Sequence, residues 1–283
     1  LNITPDHLDR HKTMQDYIKI KSKIFMNQKN NDILILNYDD FLLKNFGDNY
    51  NGILYYFSRK YELQRGGFIK HGWIVLRLRE KNEIVPIISS NELKIKGVHN
   101  LENALAASLT AFICGVSAFN IKEVLKDFKG LPHRMEFVDD IEGVKFYNDS
   151  KGTNIGAVLR SVESVESPVI LILGGKNKGG DFSVLNKFSN EKIKTIITFG
   201  EASENLKKQL CKYFKIENVK DMKEAVWKAF EIAVPDDVVL LSPGCASFDM
   251  FQDYQHRGEV FKNIVKELKK YIISSKNVYR NRN

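Results

Sequence analysis

The sequence contains little cysteine. Only three of its 283 residues are cysteines, Cys114, Cys211 and Cys245, and they lie far apart without a CxxC pair. Disulfide frameworks and structural zinc sites need closely spaced cysteines, so neither is expected here. Unpaired cysteines in apolar or small-residue surroundings are typical of a reducing compartment. We therefore expect a cytoplasmic protein.

Long apolar runs are missing too, and so is the best-known phosphate-binding loop. No apolar run approaches the roughly 20 residues that span a bilayer, and the first residues do not resemble a signal peptide. We expect no membrane partner. The pattern GxxxxGK[ST] occurs nowhere in the chain. Any nucleotide chemistry in these residues therefore lacks its usual phosphate cradle.

The charge is positive but not concentrated. The formal net charge is +8, and most of the lysines are scattered among glutamates. This pattern indicates solvated helix faces rather than a nucleic-acid groove, so no nucleic-acid partner is expected. A site that binds several anions would also use part of the positive charge.

Length and hydrophobic content predict two domains. Residues 1–130 contain an apolar strand at 32–37 and are expected to form a mixed sheet with helices. Four further segments of this part have the pattern of antiparallel strands, namely Ile53–Ser58, Gly67–Ile69, Trp73–Leu78 and Ile84–Pro86. The first residues, Leu1-Asn2-Ile3, resemble the end of a strand, so the chain is expected to be truncated.

The second part has the pattern of a doubly wound α/β domain. Residues 131–273 alternate apolar strands with amphipathic helices, which predicts a Rossmann-like fold of mostly parallel strands. Residues 274–283 show no apolar periodicity and are expected to form a loose basic tail.

The stretch from Leu131 to Asn154 is predicted to organise a site. Its last strand delivers a polar cluster to its carboxyl end, where a helix begins with Thr153 or Asn154 as cap. Lys151 then lies beside helix N-terminal donors, an arrangement that suits a phosphate or carboxylate. An ordinary strand-to-helix turn with a cap explains the same residues equally well.

Two other segments suggest chemistry. TPDHLDRH at 4–11 concentrates histidines and carboxylates, as a metal or phosphate site would, although a capped helix start has the same composition. Glycine-rich turns follow two predicted strands, GGKNKGGDF after Leu173 and SPGCASFDMF after Leu241. Glycines of this kind let backbone donors approach a ligand. The segment 97–112 is predicted to be a helix capped by Asn100, with the amide of Asn103 pointing outward from its first turn.

Six motifs in this order resemble the Mur ligases of peptidoglycan synthesis: DHLDRH, GVHNLENALAA, LPHRMEFV, NDSKGTN, LILGGKNKGGDF and LLSPGCASFDMF. The resemblance extends over the whole chain up to the tail. It implies that residues 1–130 are the later part of a central ATPase domain and that residues 131–273 are the C-terminal domain. About 100 to 200 residues, a domain or more, are then expected upstream.

The resemblance also implies an activity. ATP would phosphorylate the carboxylate of UDP-N-acetylmuramoyl-L-alanine, and the amine of D-glutamate would attack the acyl phosphate, with Mg²⁺ neutralising the anions. The implied roles are as follows: Lys21, His7 and Lys151 in catalysis, with His7 and Lys21, as its carbamate, binding Mg²⁺; Asn103, Arg134 and Asp149 in nucleotide binding; Thr153, Lys178, Ser247 and Tyr254 in D-glutamate binding.

Two alternatives stay open on the sequence alone. Another ligase of the superfamily, such as a folylpolyglutamate synthase, would share most of these motifs, and a non-catalytic Rossmann-like module would bind a nucleotide or amino acid without turnover. Without a phosphate loop, the 283 residues by themselves are expected to be inactive. The oligomeric state is open, with a monomer as the expectation.

Overall fold

The computed structural model describes residues 1–3, 11, 13–47, 50–79, 83–95 and 97–280, with side chains as far as residue 275. The chain is α/β, as the sequence predicts, and it divides into two compact units, Leu1–Lys129 and Gly130–Asn283. This division falls one residue before the predicted boundary. Each unit contains one sheet. Among the described residues, no helix has the length and apolar character to span a membrane.

In its described residues, the first unit is a five-stranded mixed sheet with helices. Its elements in chain order are α1 Met14–Ser22, β1 Ile33–Asn37, α2 Phe41–Gly47, β2 Ile53–Ser58, β3 Gly66–Lys70, β4 Trp73–Arg77, β5 Val85–Ser89, α3 Val98–Ile113 and α4 Ala118–Asp127. The strands follow the order of the chain, from β1 to β5. The side chains of β2 and β3 that face helix α3 pack on its residues Leu105 and Leu109, both of which are fully buried.

The predicted direction of β2 is wrong. It was expected to be antiparallel, but it pairs in parallel with both β1 and β3, whereas the pairs β3–β4 and β4–β5 are antiparallel as predicted. Helix α2 carries the chain back between β1 and β2, so the second strand starts from the same edge as the first. By contrast, β3 and β4 are joined by the two-residue turn His71-Gly72, which reverses the direction of the chain.

The start of α3 also differs from the prediction. The helix begins at Val98 after Gly97, which has a φ of 98°, and the amide of Asn100 donates to the carbonyl of Gly97 at 3.1 Å. Asn100 is therefore inside the first turn and is not the cap. The N-cap residue is Gly97, whose positive φ a glycine adopts without strain. Asn103 lies one turn further along than expected, and it is exposed as predicted.

The second unit is a six-stranded, doubly wound sheet. Its elements are β6 Glu136–Ile141, β7 Val144–Asn148, α5 Ile155–Ser164, β8 Val169–Gly174, β9 Ile193–Phe199, α6 Ser203–Leu210, β10 Ile216–Asn218, α7 Met222–Ile232, β11 Val238–Gly244 and α8 Tyr254–Arg280. The spatial order is β10-β9-β8-β11-β7-β6, and every pair is parallel except β6 with β7.

Both faces of this sheet are covered, which explains the continuous apolar sequences of β8 and β11. Alternate side chains of β8 pack on opposite sides: Leu171 belongs to the core shared with α5 and α6, and Ile172 belongs to the core shared with α7 and α8. A strand buried on both faces cannot alternate apolar with polar residues. The apolar run is thus the direct consequence of the two helix layers.

The end of α8 differs from the loose tail expected at residues 274–283, of which residues 281–283 lie outside the described part of the chain. The helix continues through residues 274–280, which were expected to be irregular. No proline or glycine occurs after Gly258 to end the helix. The hydroxyl of Ser274 donates to the carbonyl of Tyr271, and that of Ser275 donates to Tyr271 and Ile272, so neither serine interrupts the helical backbone.

The topology places three loops side by side. Strands β8, β11 and β7 are neighbours, and their carboxyl ends continue into the β8 loop (residues 175–181), the β11 loop (residues 245–253) and the β7 loop (residues 149–154). The β7 and β8 loops lead to the α5 side of the sheet, whereas the β11 loop leads to α8 on the other side. Such a change of side at the carboxyl ends is where ligands bind in open α/β sheets.

Candidate functional site

Backbone hydrogen bonds hold the three loops of the second unit together. The amide of Gly244 donates to the carbonyl of Gly152 at 2.8 Å, which joins the end of β11 to the β7 loop. Lys176 and Ala246 exchange two bonds, at 2.8 and 3.0 Å, which join the β8 and β11 loops. The β11 loop is therefore the middle member of the group, and it is fixed on both sides.

The side chain of Arg257, on the first turns of α8, lies at the centre of this group and has no exposed surface. Its Nε donates to Ser150 Oγ at 2.9 Å and its Nη2 to the Ser150 carbonyl at 2.9 Å. Its Nη1 donates to the carbonyls of Cys245, Ala246 and Gly174 at 3.1, 3.3 and 3.4 Å. Burial lowers the pKa of Arg257 to about 10, so the group is still a cation at neutral pH.

Sequence reasoning missed Arg257. Helix α8 is rich in lysine and glutamate, and an arginine in such a helix has the pattern of a solvated charge. The sequence signal for a buried position here was Gly258, the glycine that follows Arg257 within the helix. A Cβ on Gly258 would lie 2.1 Å from Nδ1 of the buried His133, so this turn of α8 packs closely against the rest of the unit.

Asp149, predicted to bind nucleotide, is a buried carboxylate at the end of β7. Its Oδ2 accepts from the hydroxyls of Ser161 and Ser242 at 2.6 and 2.7 Å, and its Oδ1 accepts from the amide of Met135 at 3.4 Å. Burial raises the pKa of Asp149 to about 6, and the two serine hydroxyls oppose that rise. The carboxylate connects β7, α5, β11 and the segment that enters the unit.

Lys151 and Tyr254, two predicted site residues, are in contact. The Nζ of Lys151 lies 3.8 Å from the centre of the Tyr254 ring, within the range of a cation–π interaction. The Tyr254 carbonyl accepts from Ser150 Oγ at 2.8 Å. Thr153 is half-buried between Lys151 and Asn154, and the side chain of Asn154 caps α5 as predicted by accepting from the amide of Ala157 at 2.8 Å.

Lys178 and Ser247 both lie close to the buried Cys245. Burial raises the pKa of the Cys245 thiol to about 12, and the positive charges of Arg257 and Lys178 oppose the rise, which places the Lys178 ammonium in its neighbourhood. Ser247 is buried, and its carbonyl accepts from the amides of Met250 and Phe251. Lys178 and Ser247 thus lie on two loops that the hydrogen bonds between Lys176 and Ala246 join.

Arg134 is held out into solvent by the residues beside it. His133 and Met135 have φ values of 64° and 47°, and Arg134 between them is exposed. The His133 carbonyl accepts from the amide of Lys151 at 3.0 Å, and the amide of Met135 donates to Asp149. The positive charge of Arg134 acts to lower the pKa of Asp149.

The predicted residues of the first unit are not assembled in this way. Lys21 is exposed near the end of α1, and its Nζ lies 5.3 Å from the centre of the Tyr17 ring. Asn103 is exposed on α3. His7 lies outside the described residues. Within the described part of the chain, no group of three or more histidines, cysteines, aspartates or glutamates could hold a metal ion.

The fold and the two units define a class of protein. The family model described as the Mur ligase middle domain matches residues 1–111, and that described as the Mur ligase, glutamate ligase domain matches residues 133–245. The chain belongs to the Mur ligase family, as its motifs predict.

Relatives within the family are more specific. The chain is 45% identical over 272 residues to the UDP-N-acetylmuramoylalanine–D-glutamate ligase of Alkaliphilus metalliredigens, a match that covers 95% of this chain and 59% of that protein. It is 40% identical over 273 residues to the enzyme of the same name from Clostridioides difficile, with 95% and 59% covered. The chain thus spans about 60% of the length of these curated relatives.

Solved structures share the fold at low sequence identity. A pseudomurein peptide ligase type C from Methanothermus fervidus superimposes with a TM-score of 0.67 at 19% identity, over 95% of this chain and 62% of that one. MurF from Acinetobacter baumannii gives a TM-score of 0.68 at 16% identity, over 95% and 58%. At these identities the likeness concerns the fold alone.

Proposed function

We propose that the chain is the larger part of an ATP-dependent ligase that joins D-glutamate to UDP-N-acetylmuramoyl-L-alanine. The observation that carries this proposal is the 40–45% identity, over about 95% of the chain, to relatives named for that reaction. The three joined loops of the second unit support it, because they present Lys151, Lys178 and Ser247 at the carboxyl ends of adjacent strands.

The reaction has two steps. The carboxylate oxygen of the muramoyl-alanine substrate attacks the γ-phosphorus of ATP, and ADP leaves, so that an acyl phosphate is formed. The amine of D-glutamate then attacks the acyl carbon, loses a proton and expels phosphate, which leaves an amide. Both steps bring anions together, so fixed cations must neutralise them. Lys151 and Arg134 are proposed to face the phosphates.

D-glutamate is proposed to bind between the β8 and β11 loops. Lys178 would pair with one carboxylate, with Thr153 beside it, since an ammonium and a hydroxyl both donate to a carboxylate. Ser247 and the backbone at Tyr254 would hold the other. Tyr254 is the first residue of α8, and the N–H groups at the start of a helix favour an anion.

The nucleotide is proposed to contact Asn103, Arg134 and Asp149. Asp149 Oδ2 is already engaged by two hydroxyls at 2.6 and 2.7 Å, whereas Oδ1 has a long 3.4 Å bond to Met135. Oδ1 is therefore the atom proposed to accept from a ribose hydroxyl. Asn103 would donate its exposed amide to the base.

A magnesium ion is proposed from the family resemblance. When bound, it would neutralise phosphate charge. A hard cation needs anionic oxygen ligands, which Lys21 could supply only as a carbamate. Lys21 is exposed and thus accessible to carbon dioxide. The described residues do not by themselves provide a metal site, because His7 lies outside them, so we assign no step to the ion.

Phosphate release tests the proposal. When this chain is part of a protein as long as its curated relatives, release from ATP should require UDP-N-acetylmuramoyl-L-alanine together with D-glutamate, and L-glutamate should not replace it. Release that depends on a folate and L-glutamate would instead identify a folylpolyglutamate synthase. Nucleotide or amino-acid binding without any turnover would identify a binding module.

The 283 residues alone should neither hydrolyse ATP nor form the amide. They contain no GxxxxGK[ST] loop to hold the transferred phosphate. Measurable ligation by this chain on its own would contradict that part of the proposal.

A further inference from the structure

The guanidinium of Arg257 is a buried cation whose hydrogen-bond acceptors are all neutral groups. Its five hydrogen bonds go to one hydroxyl and four backbone carbonyls, at 2.9 to 3.4 Å, and the residue has no exposed surface. A buried charge is costly unless its hydrogen bonds are satisfied. Here the acceptors come from separate segments of the chain, so the guanidinium is satisfied only while those segments keep their relative positions.

Those segments are the three loops of the candidate site. Ser150 immediately precedes Lys151, Ala246 immediately precedes Ser247, and Gly174 precedes the β8 loop that carries Lys178. Every acceptor of Arg257 is therefore within four residues of a residue proposed to bind phosphate or D-glutamate. A planar guanidinium with donors on three nitrogens can bridge loops in this way, whereas an ammonium is a point charge on a flexible stem.

The start of α8 belongs to the same arrangement. Ser150 Oγ accepts from Arg257 Nε and donates to the Tyr254 carbonyl at 2.8 Å. Gly175 shows how close the packing is, because a Cβ there would lie 2.1 Å from the Ala246 carbonyl and 3.1 Å from Arg257 Nη1. Small displacements of one loop therefore cannot be absorbed without breaking bonds to the others.

We infer that Arg257 is a positioning residue that sets the separation of the groups binding the two carboxylates of D-glutamate. It contacts neither carboxylate itself. It holds the Lys178 and Thr153 side of the pocket against the Ser247 and Tyr254 side, and so fixes the length of dicarboxylate that the pocket accepts. This inference rests on the proposed function, since it names the residue that shapes the D-glutamate site.

Three variants of the 283-residue chain test the inference. Arg257→Lys keeps the charge but loses the fork of donors. Ser150→Ala removes the shared hydroxyl but keeps the Ser150 carbonyl, and it is a milder change should Arg257→Lys fold poorly. Val226→Ala, at a fully buried core position of α7, is the matched control, because it destabilises the same unit away from the loops.

The first measurement is binding of D-glutamate and of the longer D-2-aminoadipate, by calorimetry. Arg257→Lys should weaken D-glutamate binding by about 10- to 100-fold, because the groups that hold the two carboxylates are no longer kept at the right separation, and a misplacement of about 1 Å can cost as much as about 100-fold in an enzyme site. It should also reduce the preference for D-glutamate over D-2-aminoadipate, and Ser150→Ala should do the same to a smaller extent. Val226→Ala should leave both the affinity and the preference unchanged.

The second measurement needs no ligand. Hydrogen exchange at the amides of Gly244 and Ala246 should accelerate in Arg257→Lys and Ser150→Ala, while interior amides of β8 and β9 keep their protection. In Val226→Ala, the loop amides should change no more than these interior ones. Equal exchange and equal ligand preference in Arg257→Lys and Val226→Ala would overturn the positioning role.

The two measurements separate failure of the inference from failure of the proposed function. If the wild-type chain does not bind D-glutamate, the proposed site loses its support, and the exchange data still decide whether Arg257 fixes the loops. If the wild type binds D-glutamate and Arg257→Lys binds it with the same affinity and preference, the positioning role is wrong and the site stands.

Discussion

The two units differ in how firmly their packing holds the predicted site residues. In the second unit, Lys151, Ser247 and Asp149 lie on loops or strand ends that are joined by buried hydrogen bonds. In the first unit, Lys21 and Asn103 are exposed on separate helices. The second unit therefore builds its part of the site through its own packing, and the described part of the first unit does not.

This difference predicts how mutations should behave. Buried polar networks couple stability to the position of every member, because each unmade bond in a low-dielectric interior is costly. Exposed side chains carry little of the folding free energy. Changes at the site of the second unit should therefore affect both stability and ligand binding, and changes at the predicted residues of the first unit should affect activity without lowering stability.

The largest effect is expected from Lys21→Ala. In the longer protein, turnover should fall by about a thousandfold or more, since a metal ligand contributes several kcal/mol to the stabilisation of transition-state charge. The unfolding free energy of the first unit should not change, because the Lys21 side chain is exposed. Steady-state phosphate release and urea unfolding measure the two quantities.

Lys19→Ala is the matched control, since Lys19 is also exposed on α1 and has no assigned role. It should keep full activity. If Lys21→Ala were fully active, the carbamate role would be refuted. If it were inactive and also unfolded, the contrast between the two units would not hold.

Asp149→Asn should change the pH dependence of stability in the second unit. Burial raises the pKa of Asp149 from 3.8 to about 6, so between pH 4 and 6 the folded protein binds more protons than the unfolded chain. The contribution of Asp149 to the free energy of unfolding is thus most favourable below about pH 4 and is lost as the pH rises through 6. A shift of about two units corresponds to about 3 kcal/mol.

The measurement is the unfolding free energy of wild type minus that of Asp149→Asn, which should decrease by about 2 kcal/mol from pH 4 to pH 7. Urea unfolding followed by tryptophan fluorescence in a Trp73→Phe background reports on the second unit alone, since Trp227 is then the only tryptophan in the chain. A difference that does not vary with pH would show that the carboxylate keeps its ordinary pKa.

Much of the second unit could be predicted from its sequence. The apolar runs of β8 and β11 have one structural solution, a strand covered on both faces, and the cap of α5 is encoded by Asn154 beside its own helix. Because parallel strands end at the same edge, the motifs that follow them had to be neighbours. These features depend on local pattern, which the sequence contains.

The features that were missed depend on contacts between distant residues. The carboxylate of Asp149 is buried by Ser161 and Ser242, 12 and 93 residues away, and Arg257 meets Ser150 across 107 residues. The direction of β2 is set by the crossover that precedes it, whereas its side-chain pattern is the same in either direction. The roles of Lys21 and Asn103 rest on family resemblance alone.

Lys178→Ala should weaken the binding of D-glutamate without weakening the binding of ATP. Loss of a charge-assisted hydrogen bond costs about 1.5 to 3 kcal/mol, so the D-glutamate KM should rise by roughly 10- to 100-fold. The KM for ATP should change little. Lys207→Ala, at an exposed lysine of α6, is the control. Equal increases in both KM values would mean that Lys178 stabilises the β8 loop rather than binding the amino acid.

The smallest effect is expected from Asn103→Ala, and it gives the finest test of the contrast between the units. An amide that donates one neutral hydrogen bond to adenine contributes about 1 kcal/mol, so the KM for ATP should rise by up to about tenfold. Because the side chain is exposed and alanine favours helix, the first unit should be as stable as before or slightly more so. Two measurements test this prediction: steady-state kinetics give the KM values for ATP and GTP, and thermal unfolding gives the stability of the variant. If the variant loses stability, Asn103 has a structural contact that its exposure conceals; if neither KM changes, the nucleotide is bound without it.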